Sequence, residues 1–263
     1  MSVLKSKNVS LLLVIPMYNE DERVNESFDR LIDYIKGRAS GSHLLFVDDG
    51  STDRTVEVVA RAIESRGRGF AAVLCGPHAG KGAAIRAGLA RADTDLAAFC
   101  DVDLATPLDQ LDLIVDEAFM GSCLAIGSRA MRDSSIHEHE SLRRELAGKA
   151  FNHLVRSWLC QGISDTQCGA KAAPTTVWQA VLPHSFELGF AWDVEAIALA
   201  FRLGIPVREL GIHWTHDERT RVRVLRDGLS MVLAVPRITL SVWRVPRTRK
   251  IAYNADPDRT LRS

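Results

Sequence analysis

Leu96-Ala97-Ala98-Phe99-Cys100-Asp101-Val102-Asp103 is an apolar run of five that ends abruptly in two carboxylates one residue apart. A run this short and apolar throughout reads as a strand covered on both faces. Four similar runs stand around it, at residues 11–15, 43–47, Ala71–Cys75 and 123–127. Amphipathic stretches of helical period separate them: Asp21–Lys36, 53–66, 81–91 and 108–119. Buried strands alternating with helices predict an α/β fold, a Rossmann-like, mostly parallel sheet flanked by helices. Ligands of such sheets bind at the carboxyl ends of the strands. The loops after Ile15, Val47, Cys75 and Cys100 are therefore the ones selected for chemistry.

Composition is consistent with one sizeable core. Of 263 residues 46% are hydrophobic and 25% charged, which excludes a disordered chain or a disulfide-stapled miniprotein. Thirty-three Lys and Arg balance thirty-three Asp and Glu, so no global field points to nucleic acid. The five cysteines contain no Cys-x-x-Cys pair and most lie in or beside apolar runs, as reduced thiols do. The opening MSVLKSKNVS runs straight into LLLVIP, too short an apolar segment for a secretory signal. No uncharged apolar run reaches the ~18 residues that span a bilayer. The expectation is a cytoplasmic chain, at most peripheral on a membrane.

After residue 127 the rhythm changes. A polar loop is predicted at 131–141, a helix at 142–159, a compact stretch at 164–171, a helix at 193–202 and a strand at 206–210. The organisation read from this is one domain over 1–216 and a basic extension over 217–263.

Each selected loop carries polar residues with two possible uses. Pro16-Met17-Tyr18-Asn19-Glu20 fits a binding edge or a plain strand-to-helix turn capped by Asn19 or Asp21. Asp48 and Asp49 in Val47-Asp48-Asp49-Gly50-Ser51-Thr52-Asp53 can bond a base or ribose; the alternative is a cap by Ser51 or Asp53 with solvated aspartates. Gly76-Pro77-His78-Ala79-Gly80-Lys81-Gly82 fails as a Walker A loop, with Cys75 at the first glycine and Gly82 where Ser or Thr belongs. What remains is a glycine-rich helix start with one lysine, either an anion site or a turn. In Asp101-Val102-Asp103, alternation sends both carboxylates to one side. Two hard oxygen ligands with open positions suit Mg²⁺ or Mn²⁺ shared with a substrate diphosphate.

PMYNE, VDDGSTD, GKGAAIRAG, DVD and Gly127-Ser128-Arg129, in this order, resemble the family 2 glycosyltransferases of the GT-A fold. Ser164-Asp165-Thr166-Gln167-Cys168-Gly169-Ala170-Lys171 and Trp192-Asp193-Val194-Glu195 are similar to dolichyl-phosphate β-glucosyltransferases and related polyprenyl-phosphate sugar synthases. The resemblance runs from about Leu11 to Trp243. It implies that Pro16, Tyr18, Glu20 and Asp48 or Asp49 hold uridine. By the same likeness Lys81 approaches the nucleotide, and Asp101 with Asp103 binds the metal. Arg129 would reach phosphate, and Asp165, Gln167 and Lys171 would line the sugar and acceptor side near Asp193 and Glu195. Trp192 and the helix behind it can equally be core with a solvated acidic edge, and Cys168 is read as packing. Relatives of this type often carry a third metal ligand two residues after D-x-D; here that position is Ala105, leaving Thr106 or water.

The reaction implied is a metal-dependent inverting transfer of a sugar, glucose from UDP-glucose in the leading reading, onto polyprenyl or dolichyl phosphate. A phosphate monoester, with second pKa near ~6, is already nucleophilic at neutral pH. A hydroxyl acceptor, such as a saccharide or small metabolite, would need Asp193 or Asp165 as base. An inert nucleotide-sugar-binding protein is the third reading. Between Asp217 and Lys250 nine Lys/Arg face three Asp/Glu, and residues 228–243 form an apolar stretch broken by Pro236 and Arg237. That stretch fits an interfacial helix on anionic lipid, or a helix packed on the core or in a homodimer. His213, Trp214, Thr215 and His216 border it; as a metal cluster they lack matching ligands.

Overall fold

The computed structural model describes residues 5–131, 135–136, 155, 159–214 and 224–248. Seven strands form one sheet: β1 (Leu11–Met17), β2 (His43–Asp48), β3 (Ala71–Cys75), β4 (Leu96–Cys100), β5 (Leu124–Ser128), β7 (Ala170–Pro174) and β8 (Val207–Gly211). Their order is β3-β2-β1-β4-β7-β5-β8, so β4 lies at the centre. All pairings are parallel except those of β7, which runs antiparallel between β4 and β5. A two-stranded ribbon of β6 (Ser135–Ile136) and β9 (His213–Trp214) lies apart.

Alternation along β1 explains why both faces need cover. Leu11, Leu13 and Ile15 join the core beneath α1 (Asp21–Lys36) and α4 (Leu108–Gly121). Leu12 and Val14 join the opposite core with α3 (Lys81–Leu89), α5 (Thr175–Val181), α6 (Trp192–Arg202) and α7 (Val224–Arg244). Helix α2 (Thr55–Ala62) ends in a wider turn, Ile63–Gly67, so the helix expected over 53–66 is shorter and distorted at its end. Asp53 accepts the Thr55 N–H at 2.9 Å just ahead of the helix, but the cap position is Arg54, which makes no side-chain cap bond.

Besides the short ribbon of β6 and β9, one strand and one helix went unpredicted. β7 reads Ala-Lys-Ala-Ala-Pro, poor in β-branched residues; β4 and β5 each offer it an edge, and that pairing overrides propensity. Helix α5 carries Trp178, whose indole donates to the Ala97 carbonyl at 2.8 Å. The apolar stretch over 228–243 is no broken segment: it lies in one helix of 21 residues with Pro236 inside. All of the helix expected at 142–159 except Val155 and Leu159, most of the polar loop at 131–141, Thr215, His216 and the basic residues Arg219, Arg221 and Arg223 lie outside the described residues.

All five cysteines are free, Cys75 exposed and the other four buried. Among the described residues no helix is long and apolar enough to cross a membrane.

Candidate active site

Pairing of β1 with β4 ends at Val14↔Phe99, while β1 continues beside β2 through Pro16 to Met17↔Asp48. The strands thus diverge at their carboxyl ends and open a crevice, with buried Pro16 at the split. Tyr18 emerges beyond it and stacks on His78 with ring centroids 4.2 Å apart. Asn19, at φ 56°, does not cap α1: its Oδ1 accepts the N–H groups of Thr52 (2.7 Å) and Asp53 (3.2 Å), stapling the first loop to the second. Glu20 takes both 3.0 Å bonds from the Arg23 guanidinium.

The two aspartates after β2 divide the work. Asp49 Oδ1 accepts the N–H groups of Ala79 (2.8 Å) and Gly80 (2.9 Å), and His78 Nδ1 lies 2.8 Å from Oδ2. The anion at the glycine-rich turn is therefore the chain's own Asp49. Asp48 folds Oδ2 back onto the N–H groups of Gly50 and Ser51, at 3.1 and 3.0 Å. Its Oδ1 is buried without a partner, an acceptor that ordinarily finds a donor. Neither aspartate is solvated, contrary to the turn reading; Asp48 and Asp49 are 3% and 5% exposed.

Gly80, at φ 118°, turns the chain into α3, and a Cβ there would stand 2.5 Å from the Leu188 carbonyl oxygen. The turn delivers Lys81, whose ammonium lies 2.6 Å from Asp101 Oδ1. Burial works to lower the Lys81 pKa, but Asp101, Asp193 and Asp103 outweigh it and hold the ammonium above its ordinary value. Asp103 is likewise held above a free carboxyl: burial first, then the charge of Asp101, raises its pKa. Two like charges crowded at one strand end, with Leu104 in the left-handed region (φ 52°) just after them, are a set that a hard divalent cation fits. Among the described residues no cluster of three or more His, Cys, Asp or Glu offers a metal site. Asp101 and Asp103 are the carboxylates on hand, and buried Thr106 turns its Oγ1 to Cys168 Sγ, 3.9 Å away.

On the far side of β4 the charged groups are consumed. Arg129, at the end of β5, gives Asp165 three bonds: from its backbone N–H (3.1 Å), Nε (2.7 Å) and Nη2 (3.1 Å). Burial works to raise the Asp165 pKa, and Arg129 overrides it, holding the carboxyl below its usual range. Glu209 on β8 accepts the N–H groups of Ser164 (2.9 Å) and Asp165 (2.7 Å), fixing the loop from behind. Gln167 in that loop has a buried Nε2 with no partner. Lys171, fully buried in β7, donates to Asp193 Oδ1 at 2.6 Å and to the Cys168 carbonyl at 2.7 Å. Glu195 accepts from Ser185 Oγ (2.7 Å) and from the N–H groups of Phe186 and Glu187. The acidic edge of α6 is therefore buried and bonded rather than solvated, while Trp192 is core, stacked 6.2 Å from Trp178.

The residues singled out in the sequence thus gather around the ends of β1, β2, β4, β5 and β7. Sequence reasoning missed Arg23, His78, Gly169 and Glu209. Gly169 is the sharpest omission, because a Cβ on it would stand 2.0 Å from Asp101 Oδ2. Its only signal was the single glycine of Cys168-Gly169-Ala170-Lys171.

The fold and site define a GT-A nucleotide-sugar transferase architecture, and comparison with known proteins agrees. The model of glycosyl transferase family 2 matches residues 12–173, and the chain belongs to that family; it is a glycosyltransferase. It is 27% identical to a dolichyl-phosphate β-glucosyltransferase of Drosophila melanogaster, over 93% of this chain and 80% of that one. With the Homo sapiens dolichyl-phosphate β-glucosyltransferase the identity is 27%, covering 95% and 82%. Among solved structures, glucosyl-3-phosphoglycerate synthase from Mycobacterium tuberculosis, in complex with Mn²⁺, UDP-glucose and phosphoglyceric acid, superposes with a TM-score of 0.65. It is 18% identical, over 91% of this chain and 84% of that one. Mannosyl-3-phosphoglycerate synthase from Rubrobacter xylanophilus gives 0.64 at 21% identity, covering 93% and 78%.

Proposed function

We propose that the chain is a metal-dependent, inverting transferase that moves glucose from UDP-glucose onto a polyprenyl or dolichyl phosphate at the cytoplasmic face of a membrane. One observation carries the acceptor class. The two carboxylates that could deprotonate an acceptor hydroxyl, Asp165 and Asp193, are buried and locked to Arg129 and Lys171. A hydroxyl nucleophile needs such a base; a phosphate monoester, ionised at neutral pH, needs cations to offset anion–anion repulsion. The names of the similar proteins supply the sugar and the lipid phosphate.

In this reading the free Asp48 Oδ1 takes the imide N–H of uracil, and the Tyr18–His78 pair borders the base. Asp101 and Asp103 hold Mg²⁺ or Mn²⁺, which when bound neutralises the departing diphosphate. Lys81, beside Asp101, would reach a phosphate oxygen of the donor. Arg129, held by Asp165, meets the acceptor phosphate, and Gln167 Nε2 donates to the sugar or acceptor. An acceptor phosphate oxygen attacks the anomeric carbon opposite the diphosphate. The new C–O bond forms as the bond to UDP breaks, with no proton to move.

The test is nucleotide release from a panel of UDP- and GDP-sugars, with Mn²⁺ or Mg²⁺, with and without a short polyprenyl phosphate. Turnover that requires the lipid phosphate and falls about 10²–10³-fold in Asp103→Ala is expected. A donor that binds without any stimulation by lipid phosphate overturns the reading and makes a soluble hydroxyl acceptor the search.

A further inference from the structure

Helix α7 spends only one face on the protein. Ala234, Val235, Ile238 and Val242 are buried in the core shared with α6. Leu229, Leu233, Leu240 and Trp243 are 61%, 63%, 64% and 69% exposed. Spaced by four, seven and three residues, they form one row along the helix, and exposed Pro236 falls in the same row. A continuous exposed apolar row marks an interaction surface. Residues 228–248 hold three arginines, Arg237, Arg244 and Arg247, and no Asp or Glu; all three are exposed.

The row reaches the active site through one loop. Arg237 Nη2 stands 3.9 Å from Glu187 Oε2, and Glu187 is flanked by Phe186 and Leu188, themselves exposed. The Leu188 carbonyl accepts the Ala83 N–H at 3.0 Å and forms the wall against which Gly80 is turned. The loop over residues 185–189 thus touches α7 on one side and, on the other, the turn that presents Lys81.

We infer that the α7 row together with Phe186 and Leu188 rests on an anionic lipid surface, with the Lys81 turn held at the headgroups. The inference rests on the lipid-phosphate reading of the acceptor. An apolar row bordered by three arginines against Glu187 lies in a bilayer interface with its excess cations on lipid phosphates. In an antiparallel two-fold contact centred on the row, Arg237 would face its own copy.

Sedimentation of the full chain with phosphatidylcholine vesicles, with and without phosphatidylglycerol, tests the surface independently of turnover. Wild type pellets with the anionic vesicles, and Leu233→Glu/Leu240→Glu loses about tenfold or more of that binding; both side chains are exposed, so circular dichroism and melting stay as in wild type. Transfer to a long polyprenyl phosphate embedded in those vesicles falls in step, while transfer to a short acceptor in detergent does not. Equal pelleting of wild type and variant overturns the inference. So does a wild-type dimer by light scattering that the variant converts to monomer. Absence of transfer to any lipid phosphate, with vesicle binding intact, fails the acceptor reading and leaves the surface standing.

Discussion

On the β1–β4 side of the crevice Asp48 and Asp101 keep something in reserve, although Asp49 is spent on the 79–80 backbone; on the β5–β7 side the carboxylates keep nothing. Asp48 has a buried oxygen without a donor, and Asp101 is 38% exposed at its side chain with a single lysine partner. Across β4, Asp165 is spent on Arg129, Asp193 on Lys171, Glu195 on the Ser185 hydroxyl and the 186–187 backbone, and Glu209 on the 164–165 backbone. The same residue type serves as ligand-binder in one half and as scaffold in the other. What separates them is whether a cation or a row of N–H groups has already satisfied the buried charge.

The largest effect should come from breaking the scaffold half. Lys171→Met leaves Asp193 buried and uncompensated, and a loss of about 3–5 kcal/mol in urea unfolding is expected. Adding Asp193→Leu should recover most of it; recovery by neither residue would deny that the pair is a unit. Next comes the point where the halves touch. Gly169→Ala places a methyl into the space of the Asp101 carboxylate, and about 1–3 kcal/mol should be lost. In the proposed reading the loss appears in Mn²⁺ and UDP affinity by calorimetry rather than in the melting temperature. An unchanged affinity with a lowered melting point would make Gly169 a packing residue only.

The smallest effect is one of pH. The Asp165 carboxyl is held below its ordinary value of ~3.9, so its stabilisation is fully present above that value and is lost as pH falls through the lower, folded one. Melting of wild type and Asp165→Asn between about pH 6 and pH 3 should show a constant gap down to about pH 4 that closes below it. A gap that widens on acidification would reverse the sign of the argument.

Much of this was legible beforehand because strand and helix periods are local. The five strands first read lie at Leu11–Met17, His43–Asp48, Ala71–Cys75, Leu96–Cys100 and Leu124–Ser128, within a residue or two of their expected ends. The loops chosen for chemistry are those at the sheet's carboxyl edge. β7 was illegible because nothing in Ala-Lys-Ala-Ala-Pro favours a strand until two edges are offered to it. The C-terminal helix was open between two readings for the same reason: its sequence is apolar on two sides, and only packing shows which side α6 covers.

The sequence by itself determined the alternating α/β core, the position of the Asp101/Asp103 pair and the family likeness, since each depends on neighbours in the chain. Only the tertiary structure decided which charges are free to act. Asp193 meets Lys171 across 22 residues, Asp165 meets Arg129 across 36, and Glu209 reaches back across 45 to Ser164. Burial removes the water that would otherwise satisfy these groups, and the partners that replace it come from wherever the fold happens to place them.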